Sequence, residues 1–164
     1  MGSAVIVERP AMSDKPPRYK RPESVLVVVY TRTARVLLLK RADHPNFWQS
    51  VTGALEWSEH EPRLAAVREL REETGIVAAP EELRDLGLVQ RYRILPQWRY
   101  RYAPDVTENT EHAYALELPQ EMPLAIHPEH SEYGWFDFER AAALATSWTN
   151  RAAIEHIART GIRG

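Results

Sequence analysis

The sequence predicts an α/β fold, a sandwich around a mixed β-sheet, on three observations. Short β-branched and aliphatic runs recur along the chain, a long helical pattern interrupts them near the middle, and two further helical stretches close the chain. A chain of 164 residues is enough for one domain with a real core and short for two.

Residues 1–18 carry Pro10, Pro16 and Pro17 among mixed charges and read as an N-terminal extension, with Met12 as an alternative start. The folded domain is expected over residues 19–164. Val25–Tyr30 and Val36–Lys40 flank Thr31–Arg35 and read as a hairpin. Phe47–Thr52 is a short strand that ends at Gly53. A polar loop over 54–61 leads to Pro62, which suits a first helical turn, and the helix runs to Thr74 and stops at Gly75. Leu86–Tyr92, Ala113–Leu118 and Tyr133–Phe136 are further strands. Arg93–Thr110 between them is a long loop rich in aromatic and basic residues, and a loop of that size in a small domain is usually functional. Helices over Phe138–Ala145 and Asn150–Arg159, joined at Thr146–Thr149, complete the chain, and no repeat is present.

Bulk composition excludes several classes. Hydrophobic residues make up 44% and charged residues 27%, the balance of a soluble globular protein. The net charge of −2 and scattered arginines provide no basic stripe, so nucleic acid is not an expected partner. A phosphate-bearing ligand would need metal ions or a few placed Lys and Arg. The absence of cysteine rules out disulfides, zinc–thiolate sites and thiol catalysis, and it fits a cytoplasmic setting. No apolar run approaches the roughly 20 residues that span a bilayer. Ala4–Val7 is too short for a secretory signal, so no membrane is expected. Nothing in the sequence specifies an oligomeric state.

The informative segment runs from Gly53 to Ile76. At about 100° per residue, Glu69, Glu72 and Glu73 fall within an arc of roughly 100° on one helix face. Ala66, Val67, Leu70 and Thr74 form the face expected to pack on the sheet. Like charges one turn apart oppose the helix by a few tenths of a kcal/mol per pair, on the order of peptide values. Arg68 can reach Glu72 to offset this, and divalent cations can bridge the rest. Mg²⁺ prefers hard oxygen ligands and shares its shell with substrate phosphates. A Glu-rich helix face alone is commonplace on solvated surfaces. Gly53 at a strand end and Gly75 at the helix end set this one apart.

Arg68-Glu69-Leu70-Arg71-Glu72-Glu73-Thr74-Gly75-Ile76 resembles the second half of the box of the Nudix hydrolases, G-x5-E-x7-R-E-U-x-E-E-x-G-U with U aliphatic, at every specified position. Gly53 and Glu59 match the first half. Eight residues, not seven, separate Glu59 from Arg68, which places an insertion in the loop Trp57–His60 and puts in question the bracing role of Glu59. The resemblance implies an α/β/α sandwich around a mixed sheet and a Mg²⁺-dependent pyrophosphohydrolase, with Mn²⁺ able to substitute. It makes Glu69 and Glu73 the leading metal ligands, the Gly53 carbonyl a further one, and Glu72 another ligand or a base. The cation would neutralise and orient the phosphates and acidify the attacking water.

Segments outside the box are similar to the branch of that family formed by bacterial dihydroneopterin triphosphate diphosphatases, also known as dATP pyrophosphohydrolases. They include Tyr19–Pro22, Phe47–Gly53, Arg101–Pro104, Asn109–Glu111, Glu129–His130, Ser147–Trp148 and Asn150–Arg151. That likeness implies ligand contacts at Lys20, Arg41, Thr52 and Ser147 and a metal ligand at Glu129. It also points to the stretch Tyr92, Arg93, Ile94 and Leu95, where the residue types differ from the branch. The expected partner is a small-molecule triphosphate: dihydroneopterin triphosphate, cleaved to the monophosphate and pyrophosphate, with dATP-like nucleotides secondary. A broader activity on nucleoside triphosphates, dinucleoside polyphosphates or capped RNA is the enzyme alternative. A nucleotide-binding module without catalysis is the other, and it would be expected to have lost the helical carboxylates. Trp48, Trp135 and Trp148 are expected in the core, Trp98 is the better base-stacking candidate, and the six histidines show no metal-ligand spacing.

Overall fold

The computed structural model describes residues 19–161, so the expected extension and the Met12 start lie outside the described residues. The described strands are β1 (Glu23–Thr31), β2 (Arg35–Arg41), β3 (Trp48–Gln49), β4 (Val51–Ala54), β5 (Arg84–Arg93), β6 (Glu108–Leu118) and β7 (His130–Asp137). The helices are α1 (Pro62–Thr74), α2 (Phe138–Leu144) and α3 (Trp148–Thr160), with single 3-10 turns at Pro80–Glu82 and Pro96–Arg101. Among the described residues no helix is long and apolar enough to cross a membrane.

The expected mixed sheet is present, and β1 is its centre because it is apolar on both faces. Alternation divides its side chains. Val25, Val27 and Val29 join Leu37, Leu39 and the α1 residues Ala65, Ala66 and Leu70 in one core. Leu26, Val28 and Tyr30 join Val36, Leu38 and Ala141, Ala153, Ile154 and Ile157 of α2 and α3 in the other. Helices therefore cover both faces of one sheet, an α/β/α sandwich. Leu70 is fully buried, and removing such a side chain from water is worth about 1.5–3 kcal/mol.

β1 runs parallel to β6 from Glu23↔Thr110 to Thr31↔Leu118. Its other edge is shared. β2 pairs with β1 at Tyr30↔Val36, next to the hairpin, and then diverges. β3 pairs with β2 at Leu39↔Gln49 and Lys40↔Trp48, and β4 pairs with β1 from Ser24↔Ala54 to Val27↔Val51. The single strand expected over Phe47–Thr52 is thus two short ones that bridge the divergence. The break falls at Ser50, whose N–H donates to Asn150 Oδ1 (2.7 Å) while Asn150 Nδ2 donates to Ser50 Oγ (2.9 Å). This reciprocal pair ties the sheet to the first turn of α3. It also holds Thr52 and Gly53 beside Leu26 and Val25.

β5 and β7 begin earlier than expected, at Arg84 and His130, and two further boundaries differ. β6 begins at Glu108, so the loop expected over Arg93–Thr110 is shorter and contains a 3-10 turn. The polar run Glu108-Asn-Thr-Glu-His reads as loop, yet its backbone is satisfied by pairing with β1 on one side and β5 on the other. The last helix starts at Trp148, two residues before the expected Asn150, because Ser147 caps it by accepting from the Asn150 N–H (3.2 Å). The central helix has its expected limits: Pro62 opens it, and Gly75 closes it at φ 81° with its N–H donating to Arg71 O (2.9 Å).

Candidate active site

α1 presents its carboxylates differently from a solvated acidic face. Glu69 and Glu73 are buried, and Glu72 is exposed. Val67, expected on the packing face, is only partly buried, because the buried face has rotated to include Ala65, Glu69 and Glu73. Arg68 explains how the acids are tolerated. Its guanidinium donates to both Glu59 oxygens (2.8 Å each), to Glu69 (3.0 Å), to Glu72 (3.2 Å) and to the Ala54 carbonyl (3.2 Å). One planar fork thus joins the helix, the loop and the end of β4.

The inserted residue does not displace Glu59. Its Oε1 also accepts the Glu56 N–H (2.8 Å), and its bonds to Arg68 hold its carboxyl below the usual carboxylate range. Arg21 anchors the same loop by donating to the carbonyls of Glu56 (2.9 Å) and Glu59 (2.6 Å). His60 is exposed. Its deletion is expected to leave metal affinity and turnover within a few-fold of the parent, since the brace runs through Glu59 and Arg21. Lost turnover with an unchanged circular dichroism spectrum would show that the loop length positions Glu59.

Gly53 lies directly against Glu69. A Cβ built on Gly53 would collide with the Glu69 carboxyl carbon and both its oxygens. Burial pushes the Glu69 carboxyl well above its ordinary range, and the neighbouring Glu73 charge adds to this while Arg68 opposes it. Glu73 lies one turn further along, its Oε1 3.2 Å from Nε2 of the buried His130. His130, to which the sequence reading gave no role, is therefore a positioning partner of Glu73, and its contact joins α1 to β7. Glu129 precedes it on an exposed loop and lines a polar cavity of about 250 Å³ together with Glu73. Among the described residues no three His, Cys, Asp or Glu side chains stand preassembled as a cation cage. The donors nevertheless suit a hard divalent cation. Buried like-charged carboxylates beside a cradle only glycine can form are costly without an opposing charge, and oxygen is the only donor type they offer.

A second, larger cavity of about 370 Å³ adjoins the polar one, and Lys20, Arg41, Thr52 and Arg101 line both. All eight residues expected to touch ligand line the larger cavity: Lys20, Arg41 and Thr52, the stretch Tyr92, Arg93, Ile94 and Leu95, and Ser147. Their supports are local. Lys20 is fixed through its backbone N–H, which donates to Arg101 O (2.8 Å), and burial and then Arg101 and Arg41 push its ammonium pKa down. Arg41 makes two 2.9 Å bonds to Asp43 and lies over the rings of Phe47 (5.8 Å) and Trp98 (5.0 Å). Thr52 Oγ1 donates to Val25 O (3.0 Å).

The tryptophans need correction. Trp48 packs edge-on to Phe136 (5.6 Å), and Trp135 packs against the core, both partly buried. Trp148 is 52% exposed and lines the larger cavity, so it is not a core residue. Trp98 lines the cavity, as a stacking residue should, while its ring packs edge-on to Phe47 (5.5 Å) and under Arg41. Sequence reasoning also passed over Arg101, Tyr102 and Glu111, which line the same cavity. All three stand in segments singled out for likeness to the branch, which was the available signal.

Comparison with known proteins agrees with this geometry. The family model described as NUDIX domain matches residues 20–157. The dihydroneopterin triphosphate diphosphatase of Escherichia coli K12 is 49% identical over 140 residues, 84% of this chain and 92% of that protein. The Haemophilus influenzae protein of the same name is 39% identical over 141 residues, 84% and 88% of the two chains. A solved structure of the E. coli dihydroneopterin triphosphate pyrophosphohydrolase superposes with a TM-score of 0.82 at 45% identity, covering 88% of this chain and 100% of that one. With the Gly53–Glu69 cradle and the complete carboxylate helix, these likenesses establish that the chain belongs to the Nudix family and is a Nudix hydrolase.

Proposed function

We propose that the enzyme hydrolyses dihydroneopterin triphosphate to dihydroneopterin monophosphate and pyrophosphate, with dATP-like nucleotides as poorer substrates. The observation that carries this reading is the larger cavity, in which the branch-like segments on both sides of the box meet beside the carboxylate helix. The names of the E. coli and H. influenzae relatives support it.

Nudix hydrolases generally use divalent metal ions. Here Mg²⁺ is the proposed ion, with Mn²⁺ able to substitute, and Glu69, Glu73, Glu129 and the Gly53 carbonyl would hold it. When bound, the cation supplies neutralisation of the triphosphate and acidification of the water that attacks phosphorus. The chain's residues do the rest. Lys20 and Arg41 stand where the two cavities meet and fix the phosphates. The Asp43 fork and the two flanking rings restrict the Arg41 guanidinium, so little freedom is lost on binding. Glu72, exposed and tied to Arg68, serves as a further ligand or as the base that takes the water proton. Thr52 and Ser147 orient the substrate, and the larger cavity encloses its ring. A cytoplasmic setting belongs to the same reading.

Triphosphate and metal contacts are common to every candidate substrate, so discrimination comes from the ring. A pocket that hydrogen-bonds pterin edge groups penalises a purine that leaves them unpaired by about 1–3 kcal/mol per buried group. The expected kcat/KM for dihydroneopterin triphosphate is therefore at least about tenfold above that for dATP, with pyrophosphate released from both. Rates and phosphate products measured side by side at one Mg²⁺ concentration and pH decide this. A preference for dATP or a dinucleoside polyphosphate would leave the Nudix chemistry standing and remove the pterin assignment.

A further inference from the structure

Among the described residues, Glu111 is the only carboxylate lining the larger cavity, and neither the metal site nor the phosphate contacts use it. It stands on β6 between Ser24 of β1 and Gln90 of β5, in the middle of the sheet. Its residue exposure is only 4%, and its Oε1 has no hydrogen-bond partner among the described residues. Burial raises its carboxyl pKa to about 7, with the Thr149 hydroxyl opposing the shift. A buried carboxylate oxygen without a donor is costly, and such a group ordinarily has a partner. The partner that can reach a cavity wall is a ligand.

The division of the two cavities says which end of the ligand arrives there. Glu73 and Glu129 line the polar cavity and not the larger one, whereas Glu111 lines the larger one and not the polar one. Lys20 and Arg41 stand in both. A triphosphate held by the cations at the junction extends toward the helical carboxylates in one direction, and its ring extends toward Glu111 in the other. An ionised carboxylate accepts two parallel hydrogen bonds best from two N–H groups that lie side by side in one plane. The 2-amino-4-oxopyrimidine edge of a pterin presents such a pair, N3–H and the 2-amino group. Adenine presents an acceptor, N1, beside its 6-amino donor.

We infer that Glu111 is the ring-reading residue of this enzyme, its carboxylate accepting from N3–H and the 2-amino group of the substrate's pyrimidine edge. The inference rests on the pterin reading above and gives that reading its source of selectivity. Guanine carries the same donor pair at N1–H and its 2-amino group, so Glu111 favours guanine over adenine among purines.

In Glu111→Gln, one carboxylate oxygen becomes an NH₂ donor, which suits adenine and opposes the pterin. Comparing kcat/KM for dihydroneopterin triphosphate and dATP in wild type and E111Q, the pterin-to-dATP ratio is expected to fall by at least about tenfold. An unchanged ratio would overturn the inference. A ratio is insensitive to the fraction of variant that folds. A second measurement needs no variant. In the wild-type enzyme, deoxyinosine triphosphate, which lacks the 2-amino group, is expected to have a kcat/KM about tenfold below that of dGTP. Equal values would count against Glu111 as the reader. Failure of the pterin reading appears elsewhere, as a wild-type preference for dATP over the pterin, and the dGTP-to-deoxyinosine comparison still reports on Glu111 in that case.

Discussion

Replacing Glu73 with Gln is expected to lower kcat by at least roughly 10²-fold while the fold survives. Glu73 is 6% exposed, borders the polar cavity with Glu129, and lies one helical turn beyond Glu69. The change is isosteric and removes one charge from a buried pair of like charges, so the metal-free protein should melt no lower than wild type. The amide can still pair with His130, which keeps α1 and β7 joined. What disappears is one of the three carboxylates, Glu69, Glu73 and Glu129, proposed to draw a cation to this end of the site. Turnover measured across a Mg²⁺ titration, with a thermal melt beside it, separates the effects. A large loss of rate with an unchanged melt supports the assignment, and near-wild-type turnover at saturating Mg²⁺ would sink it.

How much of this was legible in the sequence depended on whether a residue's neighbours along the chain also explain it. β1 and α1 were readable because each carries its own pattern: unbroken apolar residues buried on both faces in one case, and Pro62, a helical period and Gly75 in the other. The start of β6 was not readable. Glu108–His112 is polar, and its strand conformation comes from pairing with β5 and from β1 partners 85 and more residues away, such as Ser24 on Asn109 (2.7 Å) and Glu23 on His112 (2.7 Å). Glu111 was overlooked for the same reason, since a Glu in a polar run reads as solvated, whereas the folded sheet buries it. Trp148 erred in the opposite direction. Large aromatic residues are usually buried, but the Ser147 cap turns this one outward at the mouth of the cavity. The clustering of Glu69, Glu72 and Glu73 was legible because the box spaces them on one helix. The Arg68–Glu72 contact within that helix was legible too, whereas the links from Arg68 to Glu59 and from Glu73 to His130 were not, because they cross between elements.

Gly53→Ala should show how closely the cradle is fitted. Gly53 does not require a left-handed backbone, so a methyl group there introduces no conformational strain. The cost is contact: the new Cβ would overlap the Glu69 carboxyl, and only that group can yield, being the end of a flexible side chain. Overpacking a rigid core costs about 1–3 kcal/mol, and rotation of a single carboxylate should bring the penalty here below that range. Rotation, however, carries Glu69 away from Arg68 Nη1, 3.0 Å distant in the wild type, and away from the Gly53 carbonyl with which it would share the cation. The expected result is a small change in melting temperature together with a loss of kcat of roughly 10²-fold and weaker Mg²⁺ dependence, on the order of losses seen when metal ligands are disoriented. The Glu73→Gln variant removes a charge and this one removes a position, so a double variant tests whether both act on one cation. If they do, the combined loss will fall well short of the product of the two single losses. Fully multiplicative losses would mean that Gly53 acts through the fold of β4 rather than through the metal site.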